Sequence, residues 1–153
     1  MSKSIVVYFS ASGVTKKYAT LLANHLNTKA YEIIPEVAYT SADLNWQDSQ
    51  SRTTKEKNDI NCRPKFKLMT IDLNDVDTIY LGFPIWWYTC PRIINSWLES
   101  VNTDGKKIIV WTTSGGSQTD CCLDGVKSSA KNANVVLGVN ATSVSQDKFL
   151  NMK

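Results

Sequence analysis

The feature that most constrains the fold is a buried-strand pattern near the start of the chain that leads directly into a helical pattern. Residues 3–9 predict a strand, because positions 5–9 (IVVYF) are continuously apolar, which is typical of a strand buried inside a parallel sheet. After the turn residues 10–13, apolar side chains recur at the spacing of one helix face, at Val14, Tyr18, Leu21, Leu22, His25 and Leu26. This spacing predicts a helix of about three to four turns.

Strand and helix patterns then alternate along most of the chain. Further strands are predicted at residues 30–34, 78–83, 107–112 and 135–139. Pro91 opens an apolar-faced helix, residues 120–131 predict a weaker one, and the last residues predict a short one. Residues 36–74 have a weak pattern and predict a long insertion or a loosely helical connection. The alternation predicts an α/β fold, a three-layer α/β/α sandwich with helices on both faces of a five-stranded parallel sheet.

Length and charge limit the classes of protein that this chain can belong to. A chain of 153 residues with 42% hydrophobic and 20% charged residues predicts one domain over residues 1–153. The net charge of +3 is scattered, with no run of five like charges, so neither a nucleic-acid nor a membrane partner is expected. The apolar run after Lys3 is too short for a signal peptide, and a cytoplasmic location is expected.

The cysteines and the single histidine do not predict a metal site or an acid–base residue. Cys62, Cys90, Cys121 and Cys122 lack metal-ligand spacing, and His25 is the only histidine. For the adjacent pair, separate reduced thiols are favoured over a strained disulfide. Cys90 could neighbour a ligand, although a small residue at a helix edge is the favoured interpretation. His25 is interpreted as a packed or helix-end residue, and no catalytic residue is predicted.

The loop after the first strand predicts a phosphate site. Ser10, Ser12 and Thr15 surround Gly13 at the start of a helix, where hydroxyls, unpaired backbone N–H groups and the helix dipole favour an anion. The alternative is that Ser12 merely caps the helix. The loop carries no lysine and matches neither the P-loop nor the dinucleotide-binding spacing, which disfavours both ligand classes.

Two further loops are predicted at the same edge of the sheet, beyond the carboxyl ends of the strands, where ligands of such folds bind. Residues 83–88 (FPIWWY) form an aromatic cluster on which a flat ring could stack, or which could pack as satellite core or a partner patch. Residues 112–117 (TTSGGS) contain paired glycines that let the backbone approach a ligand, or that form an ordinary turn. Together the three loops predict a phosphorylated ligand with a planar ring.

Residues 7–15, 82–87 and 113–117, taken together, resemble the flavodoxin-like family, and in particular its short-chain FMN-binding branch. The resemblance implies the sheet order 2-1-3-4-5 and one non-covalent FMN. It implies that the ribityl phosphate is held by Ser10, Ser12, Gly13, Val14 and Thr15. It implies that the isoalloxazine is flanked by Pro84, Ile85, Trp86 and Trp87, and closed on its pyrimidine side by Thr113, Ser114, Gly115 and Gly116.

The function implied by this resemblance is electron transfer through FMN to a redox partner protein or a small-molecule acceptor. The chain departs from the family in its net charge of +3, since shuttle flavodoxins are typically acidic, and in its short closing helix. A homodimer could cover the sheet face that this helix leaves thin. Two alternatives remain open: an FMN-dependent NAD(P)H:quinone or nitro-compound reductase, and a flavin-free interaction module.

Overall fold

The sheet has five parallel strands in the described part of this computed structural model, which comprises residues 3–114 and 119–152. Their order is β2-β1-β3-β4-β5, and every neighbouring pair is parallel. The strands are β1 Ser4–Tyr8, β2 Ala30–Glu32, β3 Thr78–Pro84, β4 Lys107–Thr113 and β5 Asn134–Asn140. The predicted five-stranded parallel sheet and the implied order 2-1-3-4-5 are therefore confirmed.

Helices cover both faces of the sheet. They are α1 Val14–Leu26, α2 Arg52–Asn58, α3 Arg92–Ser100, α4 Leu123–Ser129 and α5 Gln146–Leu150, with a short 3-10 helix, Thr119–Cys122, before α4. Alternate residues of β1 enter two separate apolar clusters, Val7 with Ile93 of α3 and Val6 with Leu22 of α1. The two clusters confirm the predicted three-layer arrangement.

The buried face of α1 matches the predicted one only in part: Leu22 is buried, and Tyr18 and Leu26 pack against the same apolar cluster. The buried residues of the helix are Thr15, Ala19, Leu22 and Ala23, whereas Val14 is 45% exposed and His25 is exposed at the end of the helix. The prediction followed the large apolar side chains. The helix instead turns two alanines toward the sheet, since small side chains let the helix backbone approach the strands closely.

Polar contacts hold α2, the helix within residues 36–74. The Ser51 side chain caps α2 by accepting a hydrogen bond from the Thr54 N–H. At the other end of α2, the Arg92 guanidinium donates to the carbonyl oxygens of Glu56 (3.2 Å) and Lys57 (2.7 Å). Helix α2 is therefore held to α3 by hydrogen bonds, whereas the rest of the segment packs against the apolar cluster that contains Ile93, through Tyr39, Phe66, Met69, Ile71 and Leu73.

A close contact inside the sheet requires glycine at position 82. A Cβ atom at Gly82 would overlap the indole ring of Trp111, which lies over it from β4. Trp111 is itself fully buried and packs edge-on against Phe149 of α5, with the ring centroids 5.2 Å apart. None of the helices in the described part of the chain has the length and hydropathy that crossing a membrane requires.

Candidate functional site

The loop after β1 presents an uncapped helix N-terminus. Gly13 occupies the cap position of α1 with a φ of 93°, and no side chain caps the helix. The Ser10 Oγ accepts a hydrogen bond from the Gly13 N–H at 3.0 Å, which fixes the turn. Ser12 is exposed, so the alternative that it caps the helix is wrong: a left-handed glycine takes that position instead. The first-turn N–H groups of α1 therefore remain available to an anion.

Thr113 joins the three predicted loops. Its Oγ1 lies 2.8 Å from the Oγ1 of Thr15, and both residues are buried. Its carbonyl oxygen accepts a hydrogen bond from the Ile85 N–H at 3.0 Å. Thr15 lies in the first turn of α1, directly after the loop that follows β1, whereas Ile85 follows β3 and Thr113 ends β4. The three loops therefore meet at the carboxyl edge of the sheet, as predicted.

An aromatic cavity opens beside this junction. It has a volume of about 410 Å³ and is lined by Leu44, Trp46, Thr53, Ile85, Trp86, Trp87 and Tyr88. The rings of Trp46 and Trp87 meet edge to face with centroids 6.4 Å apart. Trp46 is 66% exposed and Tyr88 is 74% exposed, so the mouth of the cavity is open to solvent. Such a cavity suits a planar aromatic group.

The turn that carries the aromatic residues is strained. Trp86 and Thr89 exchange two backbone hydrogen bonds of 3.1 Å, and the two residues between them, Trp87 and Tyr88, have φ angles of 56° and 60°. Two-residue turns of this kind normally carry asparagine and glycine, because a bulky side chain is unfavourable at positive φ. The cost of this strain is of the order of 1–3 kcal/mol per residue. The turn places the rings of Trp87 and Tyr88 at the cavity.

Replacing Tyr88 with glycine should stabilise the fold, whereas replacing it with alanine should not. Both changes remove the same exposed ring, but only glycine relieves the positive φ. We expect the free energy of unfolding, measured by urea denaturation, to be about 1 kcal/mol higher for the glycine variant than for the alanine variant. At an ordinary backbone position the order is reversed, so a less stable glycine variant would show that the turn is unstrained.

A buried aromatic group supports the cavity wall from behind. The centroid of the Trp86 ring lies 5.4 Å from that of the Phe9 ring and 5.2 Å from that of the Tyr39 ring. The Tyr39 hydroxyl donates to Glu56 at 2.6 Å, and the Arg52 guanidinium lies 3.7 Å from the centroid of the Tyr39 ring. Burial, followed by the Glu56 carboxylate, holds the pKa of Tyr39 well above its usual range. Trp86 therefore both lines the cavity and packs as part of the core, so two of the interpretations of the aromatic loop hold for this residue.

One buried hydroxyl in the cavity wall lacks a partner. The Oγ1 of Thr53 is inaccessible to solvent and makes no hydrogen bond within the described residues. Thr53 lies on α2 and lines the cavity. A buried hydroxyl without a hydrogen bond is unfavourable, so a polar group on a bound ligand would satisfy it. The wall thus fits a ring that carries polar atoms at its edge.

Comparisons with known proteins give the family. A family model described as flavodoxin matches residues 3–151. The chain belongs to the flavodoxin family. A solved structure from Bacteroides uniformis, described as a flavoprotein, is 38% identical with a TM-score of 0.90, and the match covers 97% of this chain and 96% of that one. One from Bacteroides eggerthii, also described as a flavoprotein, is 34% identical with a TM-score of 0.91, and the match covers 97% of this chain and 94% of that one.

A more distant match confirms the flavodoxin fold alone. The flavoprotein of Lactobacillus acidophilus, solved in complex with FMN, is 22% identical with a TM-score of 0.74, and the match covers 90% of this chain and 91% of that one. No curated protein sequence gives a significant match.

Of the remaining predicted positions of this flavodoxin-family chain, those that the structure describes lie around the junction. Pro84 ends β3 opposite Thr113. The Ser114 N–H donates to the Thr142 Oγ1 at 3.1 Å, which ties the end of β4 to the segment after β5. Val14 is exposed at the start of α1. Gly115 and Gly116 lie outside the described residues.

The sequence prediction missed part of the cavity wall. Thr53 lies in the polar stretch between β2 and β3, where nothing in the sequence marks it. Leu44 and Trp46 lie in the same stretch and stand out as large apolar residues among polar ones, which indicates burial but not a place in the ligand site. Tyr88 was recognised as part of the aromatic loop, but it was not assigned to the ligand site.

None of the four cysteines, all of which are among the described residues, lines the aromatic cavity. All four are free thiols, and the Sγ atoms of Cys121 and Cys122 are 3.8 Å apart. Cys90 is buried at the start of α3, where its thiol contacts the Asn95 Oδ1 at 3.6 Å. Burial raises the pKa of the Cys90 thiol to about 12, so the thiol stays protonated. This agrees with the interpretation of Cys90 as a small packed residue.

Proposed function

We propose that this chain binds one FMN without a covalent bond and transfers electrons through it. The observation that carries the proposal is the junction at Thr113. There the uncapped start of α1 is joined, through the Thr15 and Thr113 hydroxyls and the Ile85 N–H, to an aromatic cavity. An anion site next to a flat apolar site matches a molecule with a phosphate at one end and a planar ring at the other.

The phosphate end is assigned to residues 10–15. The backbone N–H groups at the start of α1 and the exposed Ser12 hydroxyl are the donors that would contact the phosphate. Thr15 would position this loop without contacting the phosphate, because its buried hydroxyl is hydrogen-bonded to Thr113. In this arrangement amides and the helix dipole neutralise the phosphate.

The ring end is assigned to the aromatic cavity. Trp87 and Trp46 would contact the faces or edges of the ring, and Thr53 would meet a polar atom at its rim. Trp86 would hold the wall rigid through its contacts with Phe9 and Tyr39. When bound, FMN supplies the redox chemistry, because an isoalloxazine accepts and donates electrons singly or in pairs. The chain contributes binding, orientation and the exclusion of water.

Stepwise reduction of the FMN-loaded protein tests the electron-transfer part of the proposal. Under anaerobic conditions, dithionite is added in small portions while absorbance is followed from the near ultraviolet to the red. We expect a long-wavelength band to rise and then fall, as it does when single-electron reduction is favoured. Bleaching without that band would contradict the carrier function and favour two-electron chemistry.

A second candidate function is the reduction of a small acceptor, such as a quinone or a nitro compound, by electron pairs. The open mouth of the cavity favours it, since the exposed side chains of Trp46 and Tyr88 leave room for a small molecule to approach. Rapid NAD(P)H oxidation that requires both FMN and a quinone would support the reductase. A chain that takes up no FMN would instead support the flavin-free interaction module.

The Thr15–Thr113 hydrogen bond predicts a selective loss of FMN affinity. Replacing Thr113 with valine keeps the shape but removes the hydroxyl, which should cost about 1 kcal/mol of stability and weaken FMN binding by about fivefold. The matched control is Thr28→Val, which also removes a threonine hydrogen bond, 2.7 Å from Thr28 Oγ1 to the Ser4 carbonyl oxygen, but at the opposite edge of the sheet, where β1 begins. Urea denaturation and FMN titration of both variants measure the difference. Equal FMN affinities in the two variants would contradict the role of Thr113.

A further inference from the structure

The positive charge of the chain is concentrated in one segment. Residues 52–67, which comprise α2 and the loop that follows it, carry six basic and two acidic side chains. The rest of the chain carries eleven basic and twelve acidic side chains. The excess of +3 over the whole chain therefore comes entirely from this segment.

The lysines of this segment remain free to act on a partner. Lys55, Lys57, Lys65 and Lys67 are exposed, and within the described residues none of them forms an ion pair; we call these four the lysine rim. The two arginines serve the fold instead: Arg52 pairs with Glu56, and Arg63 pairs with Glu99.

The acidic groups near the lysine rim are engaged locally. Glu56 is largely buried and accepts from both Arg52 and Tyr39. The Asp59 carboxylate accepts from the Asn61 N–H at 3.0 Å, and the Asp48 carboxylate accepts from the Gln50 N–H at 2.9 Å. Both aspartates remain exposed, and they lower the local potential together with Glu36 beside Lys65 and Asp43 beside α2. The positive charge that bears on the cavity is therefore that of Lys57 and of its neighbour on α2, Lys55.

The lysine rim reaches the mouth of the aromatic cavity at Lys57. The Lys57 Nζ lies 5.5 Å from the centroid of the Trp87 ring, and Thr53 on the same helix lines the cavity. A partner that approached the exposed rings of Trp46 and Tyr88 would therefore meet positive charge on one side. Attraction between this positive charge and a negatively charged partner would orient the encounter and raise the association rate by tenfold or more at low salt.

We propose that the lysine rim docks the acidic surface of a redox partner protein at the mouth of the cavity. The inference rests on the proposed function, because the docked partner would exchange electrons with the bound flavin. One electron passes to a one-electron acceptor at each encounter, so a fully reduced flavin serves two partner molecules. The docking surface of this chain would thus be positive, whereas that of an acidic shuttle, which docks on basic partners, is negative.

Binding without FMN tests the docking surface by itself. The probes are two haem proteins of opposite surface charge, cytochrome b5, which is acidic, and cytochrome c, which is basic, each immobilised on a column. We expect retention on cytochrome b5 that decreases with added salt, and no retention on cytochrome c. The double variant Lys55→Glu/Lys57→Glu should lose this retention. The control Lys3→Glu/Lys29→Glu has the same net charge, but its changes precede β1 and β2 at the opposite edge of the sheet, so it should be retained.

Electron transfer provides the second measurement. The FMN-loaded protein, fully reduced with dithionite, is mixed with ferric cytochrome b5 in a stopped-flow instrument, and haem reduction is followed. We expect the rate to fall as salt rises, and the Lys55→Glu/Lys57→Glu variant to be about tenfold slower at low salt. Equal slowing of the control variant would overturn the proposal, because net charge alone would then explain the effect.

A membrane is the competing target for a lysine-rich surface with exposed aromatic side chains. Cosedimentation with vesicles containing anionic phosphatidylserine distinguishes the two. Binding to these vesicles without retention on cytochrome b5 would overturn the protein-docking proposal. If FMN fails to bind while retention on cytochrome b5 persists, the proposed function fails and the docking surface stands. If FMN binds but the lysine variants match the wild type, the docking proposal alone fails.

Discussion

Replacing Gly82 with alanine should lower the free energy of unfolding by about 3 kcal/mol, near the upper end of the usual cost of overpacking. The added methyl group would overlap the indole ring of Trp111. Both residues are buried in adjacent strands, and Trp111 is wedged against Phe149, so neither side can yield easily. Urea denaturation followed by circular dichroism measures the change.

The partner change Trp111→Phe isolates the cause of this effect. The smaller ring removes the atoms that collide with the new methyl group. It also sacrifices no hydrogen bond, since the indole N–H of Trp111 has no partner within the described residues. In the Trp111→Phe background, Gly82→Ala should therefore cost at least about 1 kcal/mol less than in the wild type. Additive costs would show that the Trp111 ring is not what excludes a side chain at position 82.

Replacing Trp87 with leucine should weaken FMN binding by about tenfold to 100-fold, the loss expected when a stacked aromatic surface is removed. Trp87 lines the cavity beside Trp46 and beneath the Lys57 ammonium group. Because Trp87 is only half-buried, the fold should remain intact. Equilibrium titration with FMN, followed by flavin fluorescence, gives the two affinities.

Tyr31→Leu is the matched control for this variant. It also exchanges a half-buried aromatic residue for leucine, but on β2, where the side chain does not line the cavity. Its FMN affinity should equal that of the wild type. A loss at Trp87 no larger than the loss at Tyr31 would place the flavin ring elsewhere.

The strands of the sheet could be predicted from the sequence because parallel strands are buried on both faces. Their apolar runs are continuous and end at turn residues, so β1, β3 and β4 begin and end within a residue or two of the predicted limits. The same pattern placed the aromatic loop after β3 and the Thr113 loop after β4. From these strands the edge at which the three loops meet followed directly.

The polar parts of the site could not be predicted in the same way. The absence of a side-chain cap on α1 follows from the left-handed backbone of Gly13 at the cap position, and the polar composition around Ser12 does not reveal it. The bond between Thr15 and Thr113 joins residues 98 positions apart, for which the sequence gives no local signal. The helix α2 is held by Arg92 and Ser51 instead of an apolar face, so hydrophobic periodicity did not detect it.

Titration of the protein with FMN and with riboflavin tests whether residues 10–15 and the aromatic cavity form one cofactor site, because the two ligands differ only in the phosphate. We expect one FMN per chain and riboflavin binding that is about 100-fold weaker, since charge-assisted hydrogen bonds at the start of α1 contribute about 1.5–3 kcal/mol each. Equal affinities for the two ligands, or no saturable uptake of FMN, would contradict the assignment of residues 10–15 and the aromatic cavity as one cofactor site.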